Sequence, residues 1–570
     1  MGVDEFAGLP GFGIHADLEF FHFGDPGRVV AEMRDQLVVA VEERDSGVQV
    51  GHEQHVAAGV EVGGEGNVLD HADVLAIERQ VLQAGVGAVM CAYNQVNGAY
   101  MCENDVLLNR ILKQEWGFTG FVTSDFGATH STVASANAGL DLEMPTGVYF
   151  DTLLESAVTS GQVAQTVIND KLIRRFSTMM NLGVFNNPPG LTAIPSQQDG
   201  LISRQIAEAG MVLLQNKPGV LPLNTTRILP LNAGSLHHIA VIGPYAGAAM
   251  TGGAGSSKVT PIYTVSPVAG IQNRVPPTVT VSYNDGSSIS SAVSLAQTAE
   301  VAILMVGDSE AEGTDNSISL TGNQESLVQS IVAANPNTIV VMKSGTAILM
   351  PWAGSVPAIL QAWYPGEEDG NAVAAVLFGD VNPSGKLPLT FPVQLADLPA
   401  NTAAQYPGVL VNGVPTATYS EGVFVGYRHY DQTNIAPLFP FGFGRSYTNF
   451  SFQNLAVTPT SFTFTNNPNQ TVTVSFNITN TGSVAGAEVT QLYLGIPSTA
   501  VPEPPKSLQG FQKIMLQPGQ TVPVQLTLNQ RSFSYWDVVS HSWRVAPGTY
   551  QIMVGNSSRD ILLQTQITIN

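Results

Sequence analysis

Positive charge is scarce in this chain: 23 Lys and Arg stand against 45 Asp and Glu, for a formal net charge of -22. A surface that negative repels phosphate backbones and anionic lipid heads, so no nucleic acid and no membrane partner is expected, whereas a neutral substrate meets no such penalty. Cysteine is nearly absent. Cys91 and Cys102 are too few for a disulfide scaffold, and their short separation leaves one local disulfide open. No stretch of about 20 apolar residues exists, so no helical membrane span is expected. The start, MGVDEFAGLPGFG, has neither the basic segment nor the apolar segment of a secretory leader. Charged residues are only 12% of the chain against 44% apolar ones, the balance of a folded globular protein. At 570 residues the chain exceeds what one core can hold, and roughly three or four domains are expected.

What is present is unevenly distributed. The first 80 or so residues contain no Lys, hold five of the ten His and show no sustained period of 2 or 3.6. From Ala84 the pattern sharpens. Gly85–Tyr93 is a short apolar run suited to a buried strand. Asn104 or Asp105 then caps a helix with Leu107, Leu108, Ile111 and Leu112 on one side, ended by Gly117. Gly120–Thr123 and Leu140–Met144 read as further strands, and Val167–Leu182 as an amphipathic helix with Gly183 at its C-cap. This alternation implies parallel βα units. Pro188–Asp199 (PPGLTAIPSQQD) reads as a linker. Strands at Ile239–Ile242, Val301–Val306, Ile339–Met342 and Ala358–Ala362, with helices at Gln324–Ala334 and Asn371–Phe378, make a second α/β domain. From about Thr448 short alternating runs such as Thr471–Phe476, Val489–Leu494, Thr521–Leu528 and Thr549–Val554 predict an all-β sandwich.

Two carboxyl groups attract attention for chemistry. Asp125 follows Phe121-Val122-Thr123-Ser124 and so stands at the C-terminal end of a parallel strand, where barrel enzymes keep their reactive groups. Glu312 lies in the acidic loop Gly307–Asp315 (GDSEAEGTD) that leaves the strand Val301–Val306. Hydrolysis of a glycosidic bond with retention needs two such groups about 5–5.5 Å apart. Taken alone, an Asp after a strand is more often a helix cap or turn residue, and an acidic loop is usually just solvated. Competing motifs fail. His52-Glu53-Gln54-His55 is one residue short of H-E-x-x-H, Gly252–Lys258 (GGAGSSK) lacks P-loop spacing, and Phe6 stands where myristoylation after Met1-Gly2 needs Ser or Thr. Asn-x-Ser/Thr sequons begin at Asn224, Asn449, Asn469, Asn477 and Asn556, which favours a secreted, extracellular glycoprotein although no leader is visible.

The surrounding text is more specific. Val89–Gly98 (VMCAYNQVNG), Gly117–His130 (GFTGFVTSDFGATH) and Ala138–Pro145 (AGLDLEMP) resemble the end of the barrel domain in family 3 glycoside hydrolases. Glu310–Asp315 (EAEGTD), Trp363–Ala372 (WYPGEEDGNA) and Asn382–Pro392 (NPSGKLPLTFP) resemble that family's α/β sandwich domain. Tyr419–Asp431 and Phe439–Phe450 resemble its junction with the last domain, and Lys506–Thr521 its fibronectin type III-like domain. The resemblance covers roughly residues 84–570. It implies a partial (β/α) barrel over 84–187, a linker over 188–200, an α/β sandwich over 201–447 and a fibronectin type III-like β-sandwich over 448–570.

By the same resemblance Asp125 corresponds to the nucleophile and Glu312 to the acid/base. Tyr93 corresponds to a substrate-binding Tyr beside the nucleophile; a core aromatic is the alternative reading. Phe126 stands where many members have a substrate-contacting Trp, and Asn316 where many have Arg. Cys91 and Cys102 correspond to a short disulfide of fungal members. The implied activity is a retaining β-glucosidase acting on β-glucosides or cello-oligosaccharides of cellulose breakdown. An inactive sugar-binding or scaffold fragment and β-xylosidase specificity are the alternatives. Neither chemical step needs a metal or cofactor, so none is expected. The resemblance also implies a Lys-His pair, an Arg and an Asp that hold sugar hydroxyls in family barrels, and the motifs that carry them are not found in residues 1–83, where no Lys occurs and His71 is followed by Ala. That segment is therefore expected to be non-native, with a lineage-specific domain as the competing idea, and the chain as written is expected to show little activity.

Overall fold

The computed structural model describes residues 85–570 apart from 191, 221–225, 312–316, 465–469, 498, 500 and 541. The chain divides into two units, Met1–Ala40 and Val41–Asn570, and every described residue belongs to the second.

Strand Ala88–Cys91 pairs in parallel with Phe121–Ser124, in register Cys91 to Ser124. Between them runs the helix Val106–Glu115, which buries Leu107, Leu108 and Leu112. The Asn104 side chain accepts the Leu107 N–H at 3.1 Å, the cap that its position in the sequence suggests. The helix stops before Gly117, which takes φ +71°. The expected strand over Leu140–Met144 is reduced to a single bridge between Thr123 and Leu142. The main chain still pairs there, with the Ser124 N–H donating to the Leu142 carbonyl at 2.9 Å and the Leu142 N–H to the Val122 carbonyl at 3.0 Å, and side chains add to it: Ser124 Oγ accepts the Met144 N–H at 2.8 Å, and Asp141 Oδ2 accepts the Val122 N–H at 2.8 Å.

Asp141 is also the charge hub of this region. Its buried carboxylate meets Lys113 Nζ at 2.7 Å and Lys171 Nζ at 3.8 Å. Lys171 projects from the helix Gln165–Asn181 and donates to the Ala136 and Leu140 carbonyls. Desolvation holds its ammonium down to about 8, against the attraction of Asp141. Arg174, one turn on, donates to the Phe118 and Gly120 carbonyls. Three cations thus fasten two helices to the backbone around strand Phe121–Ser124.

Cys91 and Cys102 are both buried and joined as a disulfide across 11 residues. The bridge pins the hairpin Gln95–Tyr100 to the end of the first strand. Closing a loop of that length removes about 3 kcal/mol of unfolded-state entropy. Cys102→Ser is therefore expected to lower the urea midpoint of this domain by an amount worth about 2–3 kcal/mol. A non-reduced digest should yield the linked Cys91–Cys102 peptides; free thiols at both positions, or an unchanged midpoint, would contradict the assignment.

The reading of 188–200 as linker is corrected at its end, because a helix spans Ser196–Gly210. The polar run Ser-Gln-Gln-Asp is the helix's first turn, with Asp199 well placed against the helix dipole. Beyond it a six-stranded sheet runs in spatial order Val212–Asn216, Ala358–Gln361, Thr338–Lys343, Val301–Gly307, His238–Ile242, Thr280–Asn284. All pairings are parallel except that of the edge strand Val212–Asn216. Every residue of Val301–Gly307 is buried, as a strand covered on both faces requires. Ile303 and Met305 enter a core with Ile271 and Val373 from the helices Pro267–Arg274 and Asp369–Leu377. Leu304 and Val306 enter a second core with Ala292, Leu327 and Ile331 from Ile289–Thr298 and Gln324–Ala334.

The last domain is two packed sheets, antiparallel except where the short strand Ser461–Phe462 runs parallel to Ile561–Ile569. One has the strands Phe450–Thr458, Thr471–Asn480 and Thr521–Asn529; the other is five-stranded around Gly486–Gly495 and Gly548–Gly555. Val472, Val474, Phe476 and Ile478 alternate inward from one strand, the period-2 pattern read from the sequence. A two-stranded hairpin of this domain, Ser534–Asp537 with Ser542–Val545, reaches the first one: Trp543 Nε1 donates to Glu115 at 3.0 Å, with the Arg531 guanidinium 3.2 Å over the Trp543 ring.

Candidate active site

Asp125 is the first residue after strand Phe121–Ser124, and its backbone is held from both sides. Its N–H donates to the Cys91 carbonyl at 3.1 Å, extending the parallel ladder by one step. On the other side the Gly127 N–H donates to the Met144 carbonyl at 3.1 Å. The resulting turn leaves the Asp125 side chain half-buried, with Oδ1 accepting the Phe126 N–H at 2.6 Å. Phe126 is 55% exposed, an uncommon position for a large apolar ring and one that presents it to whatever approaches Asp125. Tyr93 comes from the loop after the neighbouring strand, and its hydroxyl donates to the Phe126 carbonyl at 2.8 Å. The structure therefore brings Asp125, Phe126 and Tyr93 together. The disulfide sits directly behind them, since Cys91 supplies the carbonyl that holds Asp125.

Glu143, part of the AGLDLEMP segment, supports the same rim. Its buried carboxylate accepts the N–H groups of Val148, Tyr149 and Phe150, at 3.1, 2.9 and 2.6 Å. Sequence reading missed this residue; a carboxylate that satisfies three successive amides is visible only once the loop is folded.

Glu312 lies outside the described residues, and so does Asn316. The base of their loop is described. Strand Val301–Gly307 feeds it, and Gly307 has no space for a Cβ, which would meet the Lys343 carbonyl oxygen at 1.8 Å. In spatial order this strand lies beside His238–Ile242, although Thr280–Asn284 comes between them in sequence. The loops leaving those two strands flank the point where the strand order reverses, the place where open α/β sheets take ligands. The two loops touch there: Ala254, of the GGAGSSK stretch, bridges Ala311 and donates its N–H to the Glu310 carbonyl at 2.7 Å.

Beneath this edge Lys343 and Asp369 form a fully buried pair, and Asp369 Oδ2 also accepts the Met250 N–H at 2.9 Å. Desolvation lowers the Lys343 ammonium and raises the Asp369 carboxyl, each opposed by the other. Among the described residues no group of three or more His, Cys, Asp or Glu could hold a metal ion, and no helix is long and apolar enough to cross a membrane. Of the sequon residues, Asn449 is exposed and Asn477 and Asn556 are half-buried, while Asn224 and Asn469 lie outside the described residues.

Comparison with known proteins gives one consistent picture. The sequence model of the glycosyl hydrolase family 3 C-terminal domain matches residues 211–427, that of the family's N-terminal domain residues 27–178, and that of a fibronectin type III-like domain residues 488–558. The N-terminal match begins inside the segment 1–83 that the motifs leave unmatched; the expectation that this segment is non-native lies outside the described residues. Thermostable beta-glucosidase B of Acetivibrio thermocellus is 36% identical over 509 residues, which cover 86% of this chain and 64% of that protein. Probable beta-glucosidase L of Aspergillus fumigatus is 37% identical over 538 residues, covering 84% of this chain and 70% of that one. Among solved structures, beta-glucosidase D2-BGL of Chaetomella raphigera superposes with a TM-score of 0.78 at 33% identity, over 88% of this chain and 76% of its own.

Proposed function

Because the chain belongs to glycoside hydrolase family 3, we propose that it is a retaining exo-β-glycosidase that releases terminal β-D-glucosyl residues from β-glucosides, cello-oligosaccharides of cellulose breakdown among them. The observation that carries this reading is Asp125. A carboxylate at the C-terminal end of a parallel strand, with Tyr93 bound to the next peptide and Phe126 exposed beside it, is placed to meet a sugar ring. The named relatives are β-glucosidases, which favours glucosyl over xylosyl substrates.

In this reading Asp125 attacks the anomeric carbon and the C–O bond to the aglycone breaks, giving a glycosyl ester on the enzyme. Glu312 protonates the departing oxygen, then as carboxylate takes a proton from the water that cleaves the ester. Secretion and glycosylation at exposed sequons such as Asn449 fit an extracellular glucoside substrate and an oxidised Cys91–Cys102 pair. Two displacements at one carbon restore its configuration, so proton NMR of a running reaction on an aryl β-glucoside should show β-glucose as the first product. Appearance of α-glucose first would mean a single displacement and no covalent intermediate at Asp125.

A further inference from the structure

One closed loop supports both ends of the stretch that carries Asp125. The Cys91–Cys102 disulfide closes it, and at its near end the Cys91 carbonyl accepts the Asp125 N–H at 3.1 Å. In the middle the Tyr93 hydroxyl donates to the Phe126 carbonyl at 2.8 Å. At the far end the Tyr100 ring stacks on His130, with centroids 3.7 Å apart and planes 25° from parallel. Directly after the second cysteine, Glu103 Oε2 accepts the Ser131 hydroxyl at 2.5 Å, and the same Ser131 Oγ accepts the Ser135 N–H at 3.1 Å. Between these holds the chain turns tightly: the Ala128 N–H donates to the Asp125 carbonyl at 3.1 Å, and Gly127 takes φ +82°.

The hairpin inside this loop is too short to hold itself. Its strands Gln95–Val96 and Ala99–Tyr100 pair around an Asn97-Gly98 turn with φ +54° and +85°, the left-handed pair that suits a two-residue hairpin. A two-stranded ribbon in water is marginal even when longer. Its fastening comes from outside the ribbon. The buried disulfide lies at its base, the Asn104 side-chain amide donates to the Val96 carbonyl at 3.2 Å, and the Met101 N–H donates to the Asn94 carbonyl at 3.0 Å. On the other side of the contact His130 is exposed, so the stack on Tyr100 and not a surrounding core holds it.

We propose that residues 91–103 are the positioning clamp of the nucleophile, with Tyr100 and Glu103 as its outer contacts: by fixing His130 and Ser131 they hold the turn that aims the Asp125 carboxylate. The proposal rests on the reading of Asp125 as nucleophile. Displacement of a nucleophile by about 1 Å can cost on the order of a hundredfold in the chemical step. A lost sugar contact, by contrast, weakens binding.

Both quantities are read from labelling by 2,4-dinitrophenyl 2-deoxy-2-fluoro-β-glucoside, whose glycosyl ester breaks down slowly enough to be counted by intact-mass spectrometry. The full chain is compared as wild type, Tyr100→Phe, Tyr100→Ala, Glu103→Gln and Glu103→Ala, over a range of reagent concentrations and long incubation. Tyr100→Ala and Glu103→Ala should each lower the limiting labelling rate about 10- to 100-fold, with the half-saturating concentration within about threefold of wild type. Tyr100→Phe keeps the stack and Glu103→Gln keeps an acceptor for Ser131, so their rates should stay within about threefold of wild type. Deuterium exchange reads the clamp without turnover: the Gly127 and Ala128 amides should exchange faster in the Ala variants than in their conservative counterparts. An unchanged labelling rate in both Ala variants overturns the clamp, whatever the thermal midpoint does. Unchanged exchange, or a loss confined to half-saturation, overturns it as well. If wild type is labelled on another carboxylate or not at all, the nucleophile reading itself fails and the proposal with it. Should Tyr100→Ala not fold, Glu103→Ala is read by the same outcomes.

Discussion

Asp125→Asn is expected to reduce kcat/KM on aryl β-glucosides by several orders of magnitude while leaving the fold intact. A thousandfold loss corresponds to about 4 kcal/mol of transition-state stabilisation, a modest figure for an essential nucleophile. The substitution is conservative in structure. An amide oxygen can still accept the Phe126 N–H that Oδ1 accepts now, and the main-chain bond from Asp125 to Cys91 is untouched. Asp125 also lies outside the Asp141 hub that carries the local ion pairs. Thermal unfolding should therefore be nearly unchanged, and the loss of rate should lie in chemistry rather than in the amount of folded protein. A variant that kept more than about one hundredth of wild-type activity would overturn the nucleophile assignment.

The second large effect is expected at Glu312, and it differs in kind. On the proposed assignment Glu312→Ala removes the proton donor of the first step and the base of the second. On an activated substrate the first step survives, the glycosyl ester accumulates, and kcat falls by about a hundredfold or more because water attacks unaided. Azide needs no deprotonation, so it should restore much of that rate and leave as β-glucosyl azide. For the Asp125 variant azide has no ester to attack on the enzyme, and any azide-dependent product would have the inverted configuration. The two carboxylates are thereby distinguished by the stereochemistry of rescue rather than by the size of the loss.

How much of this was legible in the sequence depended on the distance over which each feature is encoded. The strand–turn that presents Asp125 is local, and so are the Asn104 cap and the inward alternation of Val472 to Ile478; each was readable from neighbours a few residues apart. Leu140–Met144 reads as a strand because its apolar pattern is that of one, and its main chain does bond strand Phe121–Ser124 around Leu142, but the pairing stays a single bridge and the Asp141 and Ser124 side chains add the remaining hydrogen bonds. The stretch taken as the end of a linker became the first turn of helix Ser196–Gly210, since polar residues suit both. Glu143 and His130 were inside segments already singled out, yet their roles were hidden. Glu143 binds amides up to seven residues ahead, and His130 stacks on Tyr100 of another segment, so neither has a periodic or spaced signal in the chain.

The nucleophile assignment is tested most directly by trapping. A 2-deoxy-2-fluoro-β-glucoside with a dinitrophenyl leaving group slows the breakdown of the glycosyl ester more than its formation, because the fluorine destabilises both oxocarbenium-like transition states while the leaving group aids only the first. Prolonged incubation of the 570-residue chain with this reagent, long enough for the slow turnover expected of it, followed by digestion and peptide mass spectrometry, should find one fluoroglucosyl group on the peptide spanning Phe121–His130, with fragmentation placing it on Asp125. A label on any other carboxylate, with Asp125 unmodified and the enzyme inactivated, would contradict the account.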